Sequence, residues 1–172
     1  MEVELLCFRE KVGAEKERHF WNVCGMLWGD KNERKKFWWH PWAGQMVAAG
    51  CAEKYVGLSS CASGGKTDFL AVWGIVNWLA APANTLVLIT STSLKESRQR
   101  VWGSVLEYFL ASASPLPGKI LDSFGMIRTV FPNERFSDKC GIHLITGEKS
   151  KERENIGKIG GLNSRISQTG RR

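Results

Sequence analysis

The sequence lacks the features of membrane-spanning, secreted and zinc-binding proteins. Its longest apolar run, residues 69–83, is interrupted by Gly74, Asn77 and Pro82, so it predicts no transmembrane helix. The first residues are acidic rather than a basic stretch followed by an apolar one, which predicts no secretory signal. The five cysteines form no CxxC pair, and the three histidines have no metal-ligand spacing. Reduced thiols in a cytosolic compartment are therefore expected.

The composition is that of an ordinary globular domain with a surplus of positive charge. The 172 residues are 43% hydrophobic and 24% charged, which allows one domain with a sizeable core. The net charge of +7 permits a polyanionic partner without requiring one. Among the eight tryptophans, only those in residues 35–39 (KKFWW) adjoin basic residues as single-strand binding requires. Anchoring of these aromatics in the core is the favoured interpretation.

The strongest motif is a phosphate-binding loop, SCASGGKT, at residues 60–67. The apolar residues 55–58 predict a strand that enters the loop, and residues 68–79 predict a buried helix that leaves it. Backbone N–H groups of such a loop point at phosphates, and the positive end of the helix dipole adds to their attraction. The residues expected to contact the phosphates are Ser60, Cys61, Ala62, Ser63, Gly64, Gly65, Lys66 and Thr67.

Two side chains in this loop have specific roles in the predicted chemistry. Lys66 is expected to reach the β- and γ-phosphates, and the Thr67 hydroxyl is expected to bind Mg²⁺. The loop therefore predicts ATP and Mg²⁺ as cofactors. Its first position departs from the usual pattern, because Ser60 stands where glycine is common.

A glutamine lies fifteen residues upstream of the loop. The amide of Gln45 offers both a donor and an acceptor, which suits N6 and N7 of adenine. An exposed helix glutamine with no ligand is equally compatible with the spacing.

The order of elements predicts an α/β fold with a parallel sheet flanked by helices, as in a partial P-loop NTPase. Residues 85–90 (TLVLIT) predict a parallel strand covered on both faces, and Ser93 with Glu96 predicts a capping box for the next helix. Residues 126–131 and 141–146 predict two further strands that can pair locally. Helices are predicted upstream at residues 15–28 and 47–52. Ligands in such sheets bind beyond the carboxyl ends of the strands.

The sequence has no identifiable carboxylates for hydrolysis. A P-loop ATPase usually places an aspartate after a second apolar strand, and a glutamate or equivalent orients the attacking water. Asp122 follows only two apolar residues, and Glu107 lies within a predicted helix. The sequence therefore predicts the parts that bind a nucleotide without a hydrolytic set.

Taken together, these motifs resemble the N-terminal part of the ATPase domain of phage large terminase subunits, the motors that pump DNA into capsids. The resemblance covers residues 37–166, and in that family serine can replace the first glycine of the loop. It is carried by WWHPWAGQM (38–46), SxxxxGKT (60–67), ITSTS (89–93), RVWG (100–103) and GEKSKERENIGKIGGLNSRI (147–166).

The resemblance implies an N-terminal helical segment at residues 1–36 and a partial P-loop ATPase domain at residues 37–172, without the family's nuclease domain. It implies that Gln45 contacts adenine, that residues 60–67 hold the phosphates and that Thr67 binds the metal. The implied partners are double-stranded DNA, a small terminase subunit, the portal protein and further copies of the chain. The implied location is the host cytoplasm, with no membrane.

The resemblance also implies a truncated terminase that does not hydrolyse ATP by itself, because the family's Asp-Glu strand is missing. Some terminases carry an arginine within the loop as a catalytic finger, and residues 61–64 contain none. The resemblance then implies that any catalytic arginine comes from elsewhere in this chain, with Arg98 and Arg100 as candidates, or from a neighbouring subunit.

Two other functions are compatible with the sequence. The chain could belong to another P-loop enzyme, such as a helicase-like translocase or a small-molecule kinase. It could instead be a basic nucleic-acid-binding module in which GKT is incidental.

Overall fold

The computed structural model describes residues 11–29, 32–59, 61, 64–91, 101–130 and 136–146, and all structural statements concern these residues. Four α-helices are present: α1 (Gly13–Trp28), α2 (Pro41–Ala52), α3 (Lys66–Leu79) and α4 (Gly103–Leu110). Four strands form the sheet: β1 (Leu86–Ser91), β2 (Gly118–Leu121), β3 (Met126–Val130) and β4 (Phe136–Thr146). A 3₁₀ turn, Asp122–Phe124, joins β2 to β3.

The architecture is α/β, but the sheet is mixed. Its strand order is β1-β4-β3-β2, with β1 parallel to β4 and the other two pairs antiparallel. The prediction of a parallel sheet is therefore wrong for β2 and β3. Short connections join β2 to β3 and β3 to β4, and short connections allow only antiparallel pairing. Only the long route from β1 to β4 permits a parallel pair.

Residues 55–58, predicted to be the strand before the phosphate loop, form no strand. A strand is stabilised by ladder hydrogen bonds and by burial of its side chains; these residues form no ladder, and only Leu58 among them is partly buried. Tyr55 is 85% exposed and Val56 is 41% exposed. Within the described residues β1 pairs only with β4, so residues 55–58 do not extend the sheet.

Other predicted elements are present with different bounds. The helix predicted at 15–28 begins at Gly13, and the helix predicted at 47–52 begins at Pro41. The two strands predicted to pair locally do so as β3 and β4. Strand β2 was not predicted, because GKIL is short and follows a proline-rich loop. The predicted capping box and both candidate arginines lie outside the described residues.

The hydrophobic core joins the helices to one face of the sheet. Helix α3 is central: Phe69, Val72, Ile75 and Trp78 are all buried. Phe20 of α1 belongs to the same core, so the N-terminal helix packs with the rest of the chain. No helix in the described part of the chain combines the length and the apolar character needed to cross a membrane.

Candidate functional site

The junction between the glycine loop and α3 has the backbone geometry of a helix that starts on a glycine. Gly65 is the N-cap of α3 with φ +75° and ψ 5°, a left-handed conformation that favours glycine. Its carbonyl accepts the first helical hydrogen bond from Phe69 N at 2.9 Å. Gly65 has no side chain with which to cap the helix. A helix start of this kind can receive an anion.

The loop folds back over its own lysine. The Lys66 ammonium donates to the Cys61 carbonyl oxygen at 2.8 Å, and Gly64 N lies 3.4 Å from the same oxygen. A phosphate oxygen is a charged acceptor and forms a stronger bond to an ammonium than a carbonyl does. The Lys66 head group is therefore held near the helix start, where an incoming phosphate could replace the carbonyl.

Thr67 lies in the first turn of α3 and is partly buried. The next residue, Asp68, belongs to a small group of charged side chains. The Asp68 carboxylate lies 3.6 Å from Lys35 Nζ, which in turn lies 2.8 Å from Glu107 Oε2. Hydrogen bonding to Glu107 is the main cause that raises the pKa of Lys35 above its ordinary value. Asp68 and Glu107 therefore hold the connector before α2 against α3 and α4.

The donor set around Thr67 suits Mg²⁺ only in company with a phosphate. Within the described ranges, no group of three or more His, Cys, Asp or Glu side chains is placed to hold a metal ion. Mg²⁺ in nucleotide sites is commonly held by one or two protein oxygens together with phosphate oxygens and water. A threonine at the first turn of α3 fits that pattern.

A cavity of about 610 Å³ brings Gln45 together with the phosphate loop. Helix α2, the segment before the loop and the start of α3 all contribute to its lining. The lining residues are His40, Trp42, Gln45, Met46, Gly57, Leu58, Ser59, Cys61, Gly64, Gly65 and Lys66. This volume falls within the usual range for small-molecule sites.

Of the nine predicted contact residues, Gln45, Cys61, Gly64, Gly65 and Lys66 line this cavity. Thr67 follows directly in the first turn of α3. Ser60, Ala62 and Ser63 lie outside the described residues. The structure thus joins the glutamine and the loop, which are separated by about fifteen residues of sequence.

A second groove, of about 690 Å³, contains none of the predicted contact residues. The lining residues that the structure describes are mostly aromatic or small, and none of them is charged: Trp21, Gly25, Met26, Gly29, Asn32, Phe37, Trp38, Trp39 and Ala113. These described side chains offer no cation to a triphosphate. Phe37 is buried as expected for the KKFWW segment, whereas Trp38 and Trp39 are exposed, contrary to that expectation.

The two downstream acids examined as hydrolytic candidates have structural partners. Asp122 Oδ1 accepts a hydrogen bond from Trp102 Nε1 at 3.0 Å. Glu107 pairs with Lys35. Each carboxylate therefore anchors a neighbouring element.

The apolar lining of the cavity, in particular Trp42 and Met46, was not predicted. Pro41 suits a first helical turn, but the helical pattern was assigned only to residues 47–52, so Trp42 and Gln45 were not placed on one helix surface. His40 Nδ1 accepts from Ala43 N at 3.3 Å and caps the helix, and Pro41 occupies its first turn. With the helix extended to Pro41, Trp42 and Gln45 lie three residues apart on neighbouring positions of one surface.

Comparison with known proteins found no relative of this chain. The chain matches no protein-family model, no curated protein and no solved structure. The function is therefore inferred from the geometry of the site and from the motifs in the sequence.

Proposed function

We propose that the chain binds ATP in the cavity between α2 and the start of α3, as the ATP-binding part of a viral DNA-packaging motor. The observation that carries the proposal is that Gln45, Gly65 and Lys66 line one cavity. Two motifs that suit opposite ends of the same ligand therefore meet in space. A glutamine or a GKT tripeptide alone would support ATP binding less strongly.

The lining of the cavity includes groups that suit the base and groups that suit the phosphates of ATP. The Gln45 amide would donate to and accept from the edge of adenine. The phosphates would lie at the start of α3, where the Lys66 ammonium replaces its bond to Cys61 with a bond to phosphate. Thr67 would hold Mg²⁺ together with phosphate oxygens and water. Bound ATP would supply a reactive phosphoanhydride; the chain's own residues bind and orient it.

The proposal includes a partial P-loop NTPase fold. The loop end and the helix that follows it support this fold. The missing strand at residues 55–58 and the antiparallel strands are departures from the expected arrangement.

The assignment to a packaging motor rests on the resemblance of the motifs to phage large terminase subunits. Double-stranded DNA, a small terminase subunit, the portal protein and further copies of the chain are its proposed partners, in the host cytoplasm. The net charge of +7 suits a polyanionic partner. The 172 residues contain no apolar strand ending in Asp-Glu, so we propose binding without appreciable turnover.

Equilibrium binding of Mg-ATP to the wild-type chain and to two variants tests this function. Lys66→Ala is expected to weaken binding at least about tenfold, since bonds to charged groups contribute about 1.5–3 kcal/mol each. Lys54→Ala is the matched control, because it removes a nearby exposed lysine that lies over the Tyr55 ring and not in the cavity. It is expected to change the affinity less than twofold.

Three results would contradict the proposal. Equal losses in the two variants would indicate general charge attraction. Unchanged ATP binding by Lys66→Ala, with DNA binding that falls steeply with salt, would favour the basic nucleic-acid module. Multiple turnover by the wild-type chain, abolished by Lys66→Ala, would show a hydrolytic set that the sequence analysis did not find.

A further inference from the structure

Trp42 is an exposed aromatic side chain on the wall of the proposed nucleotide cavity. Its side chain is 67% exposed, whereas the other apolar lining residues, Met46 and Leu58, are partly buried and pack against the core. Most large aromatic side chains of the described residues are buried or partly buried. The indole of Trp42 therefore offers an uncovered flat face to whatever occupies the cavity.

The backbone that carries Trp42 is held firmly. The cap by His40 and the proline at the first turn fix the start of α2. On another side of the helix, Ala43, Val47 and Cys51 are buried in the core. The positions of Trp42 and Gln45 relative to the phosphate loop are therefore set by packing of α2 and not by the ligand.

The two side chains offer complementary contacts to a planar base. An amide binds the edge of a base through hydrogen bonds, and an aromatic ring binds its face by stacking. Three residues apart on one helix, Trp42 and Gln45 can act on the same ring. The loop backbone and Lys66, which line the same cavity, offer contacts suited to phosphates.

We infer that Trp42 stacks on the base of the bound nucleotide and that, with Gln45, it makes the cavity selective for purine nucleotides over inorganic polyphosphate. This inference rests on the proposed ATP site. Stacking on an aromatic side chain strengthens binding by a factor of about five to one hundred per base. Purines offer the larger stacking face, so ATP is expected to bind more tightly than CTP.

The test compares ATP, CTP and tripolyphosphate binding, all with Mg²⁺, to the wild-type chain and to three tryptophan variants. Trp42→Ala is expected to lose about tenfold in ATP affinity while its affinity for tripolyphosphate stays within twofold. Trp42→Phe keeps an aromatic face and is expected to retain most of the ATP affinity. Trp38→Ala is the matched control, since Trp38 is 58% exposed and lies outside this cavity.

The tripolyphosphate affinity also reports whether Trp42→Ala retains its fold at the loop. A parallel loss of ATP and tripolyphosphate binding in Trp42→Ala would assign Trp42 a structural role and overturn the inference. Unchanged ATP affinity in Trp42→Ala, with ATP binding still dependent on Lys66, would overturn the inference and leave the proposed function standing. Wild-type protein that binds neither ligand would overturn both.

Discussion

At the residue scale, one buried hydroxyl links helix α3 to the sheet. Thr129 of β3 is 2% exposed, and its Oγ1 accepts from Trp78 Nε1 at 2.9 Å while it donates to the Pro82 carbonyl at 2.9 Å. Both partners belong to the segment between the phosphate loop and β1. The hydroxyl therefore helps to fix α3 on the sheet, and with it the start of α3 at the candidate site.

Thr129→Val is expected to lower the free energy of unfolding by about 2–6 kcal/mol. The substitution keeps the shape of the side chain but leaves a buried indole N–H and a carbonyl without their partner, at about 1–3 kcal/mol each. Thr129→Ser keeps the hydroxyl and is expected to cost about 1 kcal/mol for the lost methyl group. Urea unfolding monitored by tryptophan fluorescence measures both. A larger loss in Thr129→Ser than in Thr129→Val would contradict this role of the hydroxyl.

A second residue gives a pH dependence with a defined sign. Cys51 of α2 is only 7% exposed, and burial raises the pKa of its thiol from 9.0 to about 11. The folded chain then keeps a proton that the unfolded chain loses as the pH rises above 9. The contribution of Cys51 to stability is thus complete below pH 9 and decreases as the pH rises towards 11.

The measurement for Cys51 is the free energy of unfolding at pH 8 and at pH 10.5, for the wild type and for Cys51→Ala. Cys51→Ala is expected to lose about 2 kcal/mol less than the wild type between these two pH values, since one pKa unit corresponds to about 1.4 kcal/mol. Other groups titrate in both proteins, so the difference isolates the thiol. Identical slopes would show that Cys51 is accessible in the folded protein.

At the scale of elements, two left-handed glycines support structure in different ways. Gly65 has φ +75° and open space where a Cβ would be. Glycine is therefore favoured there by the backbone conformation and not by lack of space. Gly141 has φ +134°, and a Cβ there would overlap the carbonyl oxygen of Ile127 on β3. It lies in the central strand β4, beside the register shift between Arg128 and Val130. The close approach of β3 and β4 at this point therefore requires glycine.

Three glycine-to-alanine substitutions are expected to change the free energy of unfolding by amounts that differ in sign and size. Gly65→Ala should cost about 1–2 kcal/mol of stability and weaken ATP binding, because an L-residue resists the left-handed conformation. Gly141→Ala should cost more than about 3 kcal/mol, because strain adds to backbone overlap. Gly25→Ala, within α1 and with open space around it, should be neutral or stabilising by up to about 1 kcal/mol. Thermal or urea unfolding gives the order, and a cost for Gly141→Ala below that for Gly65→Ala would contradict the structure.

The elements also show what a single sequence can predict here. Helix α1 was predictable because its apolar residues recur at helical spacing, and α3 because a long, almost wholly apolar segment follows the phosphate loop. Strands β1, β3 and β4 were predictable because they contain compact apolar runs. Residues 55–58 look equally apolar, but a strand exists only where a neighbour pairs with it. That pairing is a tertiary property, which neither composition nor periodicity contains. The predicted parallel direction was wrong for β2 and β3. Strand direction depends on which strands pair and on which connections between them are short.

At the scale of the whole molecule, the candidate site depends on contacts between distant segments. The loop residues were predictable from the GKT motif, and Gln45 from its position upstream. The meeting of the two around one cavity was not predictable, because it requires the packing of α2 against α1 and α3. Trp42 was not predicted because the helical pattern was assigned only to residues 47–52, although Pro41 suits a first helical turn, and the surface that Trp42 shares with Gln45 depends on the full helix. The motifs thus predicted which residues suit a nucleotide, whereas only the structure showed that several of them line one cavity.

In the proposed site, the start of α3 and the Gln45 side chain bind one nucleotide together. A titration of ¹⁵N-labelled protein with Mg-ATP, followed by NMR, reports on both groups in one experiment. We expect saturable shifts of the Gly65 and Lys66 backbone amides and of the Gln45 side-chain amide, all with the same dissociation constant. Tripolyphosphate should shift the loop amides and leave the Gln45 side chain unmoved. Shifts confined to exposed lysines elsewhere, or loop shifts by ATP without any response of Gln45, would show that the two groups do not share a nucleotide.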